Sequence, residues 1–267
     1  MLLQSRVQVN KTEVQLREEI VRVGRLMFDK GWIAANDGNV TVRLNDGRIL
    51  ATPTGVCKGM MDPSDLIVCD MDGNKLCGER EITSEMAMHL TIYRLRPDMH
   101  SVVHAHPPVA TGFATAGRAL NQGLLPEVII KLGSVPLADY GLPGTPALTE
   151  GMLPYIPKYE ALLMANHGAV SYGEDVMQAY FRMEMVEHFA RITLVAELLG
   201  GPKVLPRVEI QKLFQARERY GVSSRNRFES GQPLAAEDMP DTNEKIEITR
   251  EQLLSIVEEA LKLRGVY

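Results

Sequence analysis

The alternation of apolar and polar positions predicts a chain in which helices and strands are mixed from one end to the other. Apolar residues from Val14 to Met27 fall on one broad helical face and predict a first helix over residues 13–30, closed by Gly31. Residues 40–44 then alternate as a strand does, and the turn residues at 45–47 lead the chain back into a second strand at 48–51. The sequence therefore predicts an N-terminal helix followed by a β-hairpin.

Further along, short apolar runs predict buried strands, and longer periodic segments predict helices. The strands are expected at residues 66–69, 101–106 and 161–165, with 169–172 continuing the last of them, whereas 127–137 should alternate between strand and turn. Helices are expected at about 84–95, with Thr83 or Ser84 as N-cap, and at 109–116, 149–154 and 176–199. Several hairpin signals favour a mixed, largely antiparallel sheet covered by helices.

The pattern changes near residue 223. The stretch 223–248 is polar, contains Pro and Gly, and is poor in large apolar residues, which is typical of a linker. Apolar residues then recur at helical spacing, and Thr249 with Gln252 forms a capping-box pattern, so a helix is predicted over 249–267. We expect a main domain of residues 1–222, a linker, and a C-terminal amphipathic helix.

Composition narrows the class of protein. A net charge of -5 and the lack of a Lys/Arg cluster argue against a nucleic-acid partner. No apolar run approaches the roughly 20 residues of a membrane span, and the first residues lack the apolar region of a signal peptide. The three cysteines, Cys57, Cys69 and Cys77, form no CxxC pair, so we expect reduced thiols that pack in the interior of a cytoplasmic protein.

The histidines supply the first candidate metal ligands. His104-Ala105-His106 lies in a predicted strand, where residues i and i+2 point to the same side, so both imidazoles can reach one point. Two such imidazoles are half of a zinc-type site, although an isolated HxH pattern is a weak signal. His167 lies between a buried apolar strand and Gly168, and loops at strand ends often carry catalytic groups.

A carboxylate is available at Glu85, near the start of a predicted helix, where the helix dipole stabilises a negative charge. On that evidence alone it is an ordinary first-turn glutamate. His89 lies four residues further along the same helix face, so Glu85 and His89 form an alternative ExxxH metal pair. We rank this pair below the HxH site, because such helical pairs are common on protein surfaces.

Three turns are rich in small polar groups that suit a phosphate. Glycine lets the backbone approach an anion closely, and a helix N-terminus attracts negative charge. Each turn taken alone is only a turn. Taken together they predict a phosphate pocket formed by Gly38, Asn39, Thr54, Gly55, Thr83 and Ser84.

In their order along the chain, these motifs resemble the class II aldolase/adducin family. The resemblance covers about residues 12–221 and rests on GNVTVR at 38–43, TPTG at 52–55, TSE at 83–85, HAH at 104–106 and NHG at 166–168. It implies a three-layer α/β/α sandwich around a mixed sheet. It also implies one zinc ion per subunit, bound by Glu85, His104, His106 and His167.

The resemblance further implies an activity and an assembly. The expected reaction is cleavage of a ketose 1-phosphate, such as L-fuculose 1-phosphate, to dihydroxyacetone phosphate and an aldehyde, with Glu85 as acid and base. The expected assembly is a homotetramer with active sites between subunits, to which a neighbour contributes Tyr220. The linker and terminal helix resemble peptides that load enzymes into bacterial microcompartments, and docking of this helix on its own tetramer is the alternative.

One segment departs from the family pattern. An apolar run at 128–130 stands where the aldolases carry a tyrosine after the HxH strand, and Glu127 or Tyr140 are the candidates to replace it. The related sugar-phosphate 4-epimerases carry Asp at the position of Glu85, which favours an aldolase. Epimerisation, dehydration of methylthioribulose 1-phosphate and decarboxylation of a sugar-acid phosphate remain alternatives. The non-enzymatic adducin module is a third interpretation, disfavoured because all four candidate ligands are present.

Overall fold

Eight strands form one sheet in the computed structural model, which describes residues 11–220, 222, 233–239, 249–251 and 254. The strand order is β4-β3-β2-β1-β5-β8-β7-β6. The strands are β1 Asn39–Arg43, β2 Ile49–Ala51, β3 Ile67–Cys69, β4 Lys75–Cys77, β5 Ser101–Ala105, β6 Leu137–Ala138, β7 Ala161–Met164 and β8 Gly168–Gly173. All neighbouring pairs are antiparallel except β6 and β7, which confirms the predicted mixed, largely antiparallel sheet.

Helices cover both faces of this sheet. They are α1 Glu13–Asp29, α2 Met86–Leu95, α3 Pro108–Thr115, α4 Pro126–Lys131, α5 Pro146–Met152, α6 Val176–Leu198 and α7 Arg207–Ala216. One buried cluster joins α1, α3 and α6 to one sheet face, and a second joins α2 and α5 to the other. Strand residues alternate between the clusters, as Val102 and Val103 do, because successive side chains point to opposite faces. The three-layer α/β/α sandwich is confirmed.

The first helix shows how local sequence fixes an element boundary. The Thr12 hydroxyl accepts a hydrogen bond from the Gln15 amide at 3.3 Å, and the Gln15 side chain accepts one from the Thr12 amide at 2.9 Å. This reciprocal pair satisfies two N–H groups that the helix itself leaves unpaired. At the other end Gly31 adopts a φ of 68°, a conformation that terminates helices. The predicted span is confirmed to within one residue.

Several local predictions were wrong. Residues 126–131 form the short helix α4, although β-branched residues at 128–130 favour a strand, because Pro126 starts the helix and the apolar side chains are buried on it. The N-cap of α2 is Glu85 instead of Thr83 or Ser84. Helix α5 ends at Met152, two residues before the predicted Pro154. Cys69 is buried as expected, but Cys77 is exposed on β4.

The strand prediction at 169–172 also needs correction. The chain does not continue β7 there, because it reverses at residues 165–167 and returns as β8, antiparallel to β7. Met164 pairs with Gly168, so the connection is a hairpin loop of three residues. Asn166 occupies its centre with a φ of 54°, a left-handed conformation that asparagine tolerates better than most residues. The reversal places His167 in a tight loop.

The C-terminal part of the chain divides from the rest at residue 236, with one unit of residues 1–236 and another of residues 237–267. Within the first unit, part of the predicted linker is packed: Ala235 is 1% exposed and lies against Ile129 and Ile210. The Ala236 amide donates to the Leu205 carbonyl at 2.9 Å. The remainder of the predicted linker and most of the predicted terminal helix fall outside the described residues and stay predictions.

None of the helices in the described part of the chain combines the length and apolar character that a membrane span requires.

Candidate metal centre

Strand β5 carries the first ligand into the interior of the protein. His104 is fully buried, and it pairs with Asn39 on β1 and with Val170 on β8. Its Nδ1 donates a hydrogen bond to the Ala169 carbonyl at 2.9 Å. That bond occupies Nδ1 and leaves Nε2 as the nitrogen that faces the other candidate ligands and would bind a metal ion.

His106 follows two residues later, beyond the end of the strand. Its Nε2 lies 3.2 Å from Nε2 of His104, and its Nδ1 lies 3.4 Å from a carboxylate oxygen of Asp37. A carboxylate behind an imidazole orients the ring and makes the opposite nitrogen a better ligand. Burial, together with the neighbouring imidazoles, lowers the pKa of His106 to about 4, so its ring is neutral at neutral pH. Asp37 is a contributor that the sequence analysis missed.

His167 reaches the same point from the β7–β8 hairpin. Its ring centroid lies 4.7 Å from that of His104 and 5.3 Å from that of His106. The approach depends on Gly168, where an added Cβ would come within 2.5 Å of the His106 ring and 2.7 Å of the Ala105 carbonyl. The NHG pattern therefore has a steric reason, because any side chain after His167 would push the rings apart.

The carboxylate of Glu85 completes the group from the start of α2. Its Oε2 lies 3.2 Å from Nε2 of His104, and its Oε1 lies 3.1 Å from Nε2 of His167. Burial of Glu85 favours its neutral form, but attraction to His104 and hydrogen bonds from His104, His167 and Asn39 outweigh burial. The pKa of Glu85 is held far below its ordinary value, so the side chain is ionised.

These residues fit a divalent metal ion. Ligand nitrogens of His104, His106 and His167 all lie within 4.8 Å of one another. A tetrahedral zinc site with bonds of about 2.0–2.1 Å separates neighbouring ligand atoms by about 3.3 Å. The contacts of 3.1–3.2 Å among the imidazoles and Glu85 match that separation. Three imidazoles and a carboxylate suit zinc and similar divalent ions.

The four proposed ligands lie within a region of the chain that matches a known protein family. Residues 18–194 match the family described as Class II Aldolase and Adducin N-terminal domain. The chain belongs to this family.

Its relatives include enzymes of two reaction types. The 3-oxo-tetronate 4-phosphate decarboxylase of Escherichia coli strain K12 is 33% identical over 189 residues, which are 69% of this chain and 89% of that protein. The 5-deoxy-D-ribulose 1-phosphate aldolase of Bacillus thuringiensis serovar kurstaki is 32% identical over 207 residues, 77% of this chain and 96% of that protein. A solved structure of an L-fuculose 1-phosphate aldolase matches with a TM-score of 0.72 and 28% identity, covering 79% of this chain and 99% of that one. The chain is therefore an enzyme of the class II aldolase family.

The alternative ExxxH pair does not form in this member of the class II aldolase family. His89 is fully buried and shares a helix face with Glu85, as predicted, but both of its ring nitrogens have other partners. Nδ1 contacts the Thr41 hydroxyl at 2.7 Å, and Nε2 contacts the Asn39 side-chain oxygen at 2.5 Å. His89 therefore has no lone pair to offer the metal centre.

The candidate phosphate turns lie beside Glu85. An isolated bridge between Pro53 and Ile82 and a 3.0 Å hydrogen bond from the Thr54 amide to the Glu81 carbonyl join the TPTG turn to the TSE segment. Thr54, Gly55 and Ser84 are exposed, whereas Thr83 is buried. Two of the three predicted turns therefore meet next to the candidate metal centre.

Gly38 and Asn39 have local structural roles as well. Gly38 has a φ of 69°, and an added Cβ there would lie 2.6 Å from the Ile33 side chain and 2.9 Å from the His104 carbonyl. The Asn39 amide group is committed to Glu85 and His89. Any phosphate contact at these two positions is therefore left to the backbone.

Tyr220 lies apart from the four ligands. Tyr220 is 66% exposed and is the last residue of a short helical turn, Arg217–Tyr220. This turn packs against α4 and α7. No hydrogen bond or ion pair in the described part of the chain links Tyr220 to the metal centre. Its predicted contribution to a neighbouring subunit's site stays a prediction.

Proposed function

We propose that the protein is a metal-dependent lyase that breaks a carbon–carbon bond beside the ketone of a phosphorylated sugar or sugar acid. The observation that carries the proposal is the convergence of Glu85 with three imidazoles from β5 and the β7–β8 hairpin. The exposed groups of Thr54, Gly55 and Ser84 lie beside Glu85, where they would receive the phosphate.

The residues divide the chemistry among themselves. A divalent ion, zinc by preference, held by Glu85 and the three histidines would supply Lewis-acid stabilisation of negative charge on substrate oxygens. Asp37 and the Ala169 carbonyl orient His106 and His104, so that their lone pairs face the centre. Glu85 is ionised and lies at the substrate side of the phosphate turns, and it would transfer a proton to or from the reacting carbon.

Two substrates lead to the same enediolate of dihydroxyacetone phosphate. Retro-aldol cleavage of a ketose 1-phosphate, the reaction predicted from the sequence, releases an aldehyde. Loss of CO₂ from a 3-oxo sugar acid 4-phosphate, whose carboxylate is β to the ketone, leaves the same fragment. Both routes then need protonation of one carbon, for which Glu85 is placed.

Decarboxylation is the better supported of the two. An aldolase needs a group that exchanges a proton with the aldehyde oxygen, and the aldolases place a tyrosine for this after the HxH strand. In this chain that segment is α4, whose Val128, Ile129 and Ile130 are buried and carry no proton donor. Release of CO₂ leaves no oxygen to protonate. Several of the relatives at 30–33% identity are themselves 3-oxo-tetronate 4-phosphate decarboxylases.

A substrate panel tests the proposal. The zinc-loaded protein is supplied with 3-oxo-tetronate 4-phosphate, L-fuculose 1-phosphate and 5-deoxy-D-ribulose 1-phosphate, and dihydroxyacetone phosphate and CO₂ are measured separately. We expect CO₂ and dihydroxyacetone phosphate from the first substrate and loss of both after chelation. Aldehyde release without CO₂ would instead support the aldolase. Full activity after complete removal of divalent ions would overturn the proposed function.

Assembly and the tail extend the proposal. We infer a homotetramer in which Tyr220 of one subunit reaches a neighbour's metal centre, as the family resemblance implies. If Tyr220→Phe subunits are inactive, mixing them with inactive Glu85→Gln subunits should restore activity, because some sites would receive both intact residues. Removal of residues 245–267 should leave this activity intact if the terminal helix is a targeting segment for a microcompartment, whereas loss of assembly would assign it to the tetramer.

A further inference from the structure

A continuous chain of hydrogen bonds runs from Glu85 into the interior of the protein, away from the substrate side. The Asn39 amide nitrogen lies 2.7 Å from Oε2 of Glu85, and the Asn39 amide oxygen lies 2.5 Å from Nε2 of His89. The Thr41 hydroxyl lies 2.7 Å from Nδ1 of His89 and 2.7 Å from the Tyr93 hydroxyl. We call Asn39, His89, Thr41 and Tyr93 the interior chain.

The interior chain follows from matched spacings on two elements. Glu85, His89 and Tyr93 are spaced by four residues, so they lie along one stripe of α2 and its N-cap. Asn39 and Thr41 are spaced by two residues on β1, so they point to the same face of the sheet. The two rows interdigitate, and all four members of the chain are at most 4% exposed.

Charge on Glu85 fixes the direction of every bond. An ionised carboxylate only accepts, so Asn39 must present its NH₂ group to Glu85 and its oxygen to His89. His89 must then carry its proton on Nε2 and accept at Nδ1, where the Thr41 hydroxyl donates. The Thr41 oxygen is left to accept from Tyr93. Only one arrangement of protons satisfies all four links.

The environment of His89 agrees with this arrangement. The ring is neutral, because complete burial lowers the pKa of His89 to about 3. Burial also raises the pKa of Tyr93, which keeps its hydroxyl proton available to donate. On the far side, the Arg43 guanidinium lies 5.4 Å from the Tyr93 ring centroid and packs over it.

We propose that the interior chain is a positioning device for Glu85, and that His89 is its central residue, acting on Glu85 through Asn39. The inference deepens the proposed function and rests on it for the role of Glu85 as ligand and acid/base. The chain holds Oε2 of Glu85 in one orientation toward the metal centre. Loss of the Nε2 donor frees the Asn39 amide to rotate and turn its oxygen toward the carboxylate.

Two substitutions at His89 separate positioning from packing. His89→Gln retains an N–H donor near the position of Nε2, whereas His89→Leu fills a similar volume without any donor. We expect zinc affinity, measured by competition with a chromophoric chelator, to fall about tenfold in His89→Leu and to stay within about threefold of wild type in His89→Gln. The kcat on the accepted substrate should follow the same order, with KM nearly unchanged, because the phosphate turns are untouched.

Outer members of the chain give a graded control. Thr41→Val removes the donor to Nδ1 while keeping the shape, and Tyr93→Phe removes only the last hydroxyl. We expect the effect on zinc affinity to decrease from His89→Leu to Thr41→Val to Tyr93→Phe. If His89→Leu does not fold, Thr41→Val and the measurement on the unmodified protein below still decide the question.

Nitrogen-15 NMR of histidine side chains in the unmodified, zinc-loaded protein tests the arrangement directly. We expect a neutral His89 ring protonated at Nε2 from pH 5 to 8. A proton on Nδ1, or equal zinc affinity in His89→Leu and His89→Gln, would overturn the inference. These readouts need no substrate. An inactive but zinc-binding protein would therefore contradict the proposed function without contradicting the role of the interior chain in positioning Glu85.

Discussion

Two clusters of ionisable side chains in the described part of the chain differ in whether their charges are balanced from within. Near Tyr172 on β8, Arg96 bonds Asp98 at 3.1 Å and Glu160 at 3.0 Å, and Arg182 bonds Glu160 at 2.6 Å. We call these four charged residues the arginine cluster. Its two cations and two anions balance, and backbone carbonyls of Tyr159 and Tyr172 take further guanidinium protons.

The metal centre lies near the other end of the same strand and has no such balance. One carboxylate and three imidazoles turn their ligand atoms toward each other, with no Lys or Arg among them. His167 has a buried Nδ1 with no hydrogen-bond partner in the described part of the chain. A group of metal-ligand atoms turned inward suits a cation from outside the chain, whereas the arginine cluster already contains its own cations. The first arrangement suits binding and the second suits stability.

Matched glutamine substitutions test this difference most strongly. Glu85→Gln should reduce activity by about 10²–10⁴-fold, because it removes both a ligand and the acid/base group, and it should destabilise the metal-free protein less than the matched substitution at Glu160. Glu160→Gln leaves the buried guanidinium of Arg96 and the partly buried one of Arg182 short of a partner and should destabilise by about 3–5 kcal/mol. Urea titrations and steady-state rates measure both. Glu209→Gln, at an exposed helical ion pair, is the control that should change neither. Comparable destabilisation at positions 85 and 160 would contradict the distinction.

Zinc should stabilise the protein through the metal centre and not through the arginine cluster. At free zinc one hundredfold above the dissociation constant, a single site stabilises by about 2.7 kcal/mol. We expect that gain in thermal unfolding of the wild type, an undiminished gain in Glu160→Gln, and a much smaller one in Glu85→Gln. If zinc stabilised Glu85→Gln as much as it stabilises the wild type, the ion would have to bind elsewhere.

Gly168 tests how tightly the centre is packed. The Cβ of Gly168→Ala would meet the Ala105 carbonyl at 2.7 Å, a backbone atom that cannot rotate away. We expect destabilisation of about 1–3 kcal/mol and zinc affinity weakened at least about tenfold. Gly112→Ala on α3, where an added Cβ has no neighbour within 4 Å, is the control and should be neutral or slightly stabilising. Normal zinc binding in Gly168→Ala would show that the rings have room to adjust.

The pH dependence of stability gives the smallest effect. His89 has a folded pKa of about 3, against about 6.5 when unfolded, so the unfolded chain binds the extra proton between these values. The free energy of unfolding should therefore fall as the pH drops below about 6.5, by up to about 1.4 kcal/mol per pH unit from this residue. The difference between wild type and His89→Gln isolates that slope in urea titrations from pH 7 to 5. Parallel pH profiles would contradict the assigned pKa.

Local patterns predicted a mixed, largely antiparallel sheet but not its strand order, and they pointed to only part of the proposed ligand set. The HxH spacing brought two imidazoles to one face, because strand geometry has a fixed period, and His104 and His106 meet as that period requires. The arrival of Glu85 and His167 depends on contacts between distant segments. Only the family resemblance, not periodicity, pointed to their convergence.

The failures have physical causes as well. Residues 128–130 favour a strand intrinsically, but tertiary burial and Pro126 make them helical. Glu85 and His89 do share a helix face, yet the ring of His89 turns to Asn39, a partner on another element. A signal for the interior chain was present in the sequence, since Asn39 and Thr41 alternate with buried valines on β1. Polar residues at the inward positions of a strand require partners, which the helix above it supplies.

The hairpin that carries His167 has a further consequence. A loop of only three residues between β7 and β8 cannot move independently of the strands, so the sheet fixes the position of His167. The groups expected to read the substrate, by contrast, sit on surface turns such as TPTG that can change length or composition without moving the strands. A protein divided in this way can exchange one sugar phosphate for another during evolution while its reactive centre stays as it was.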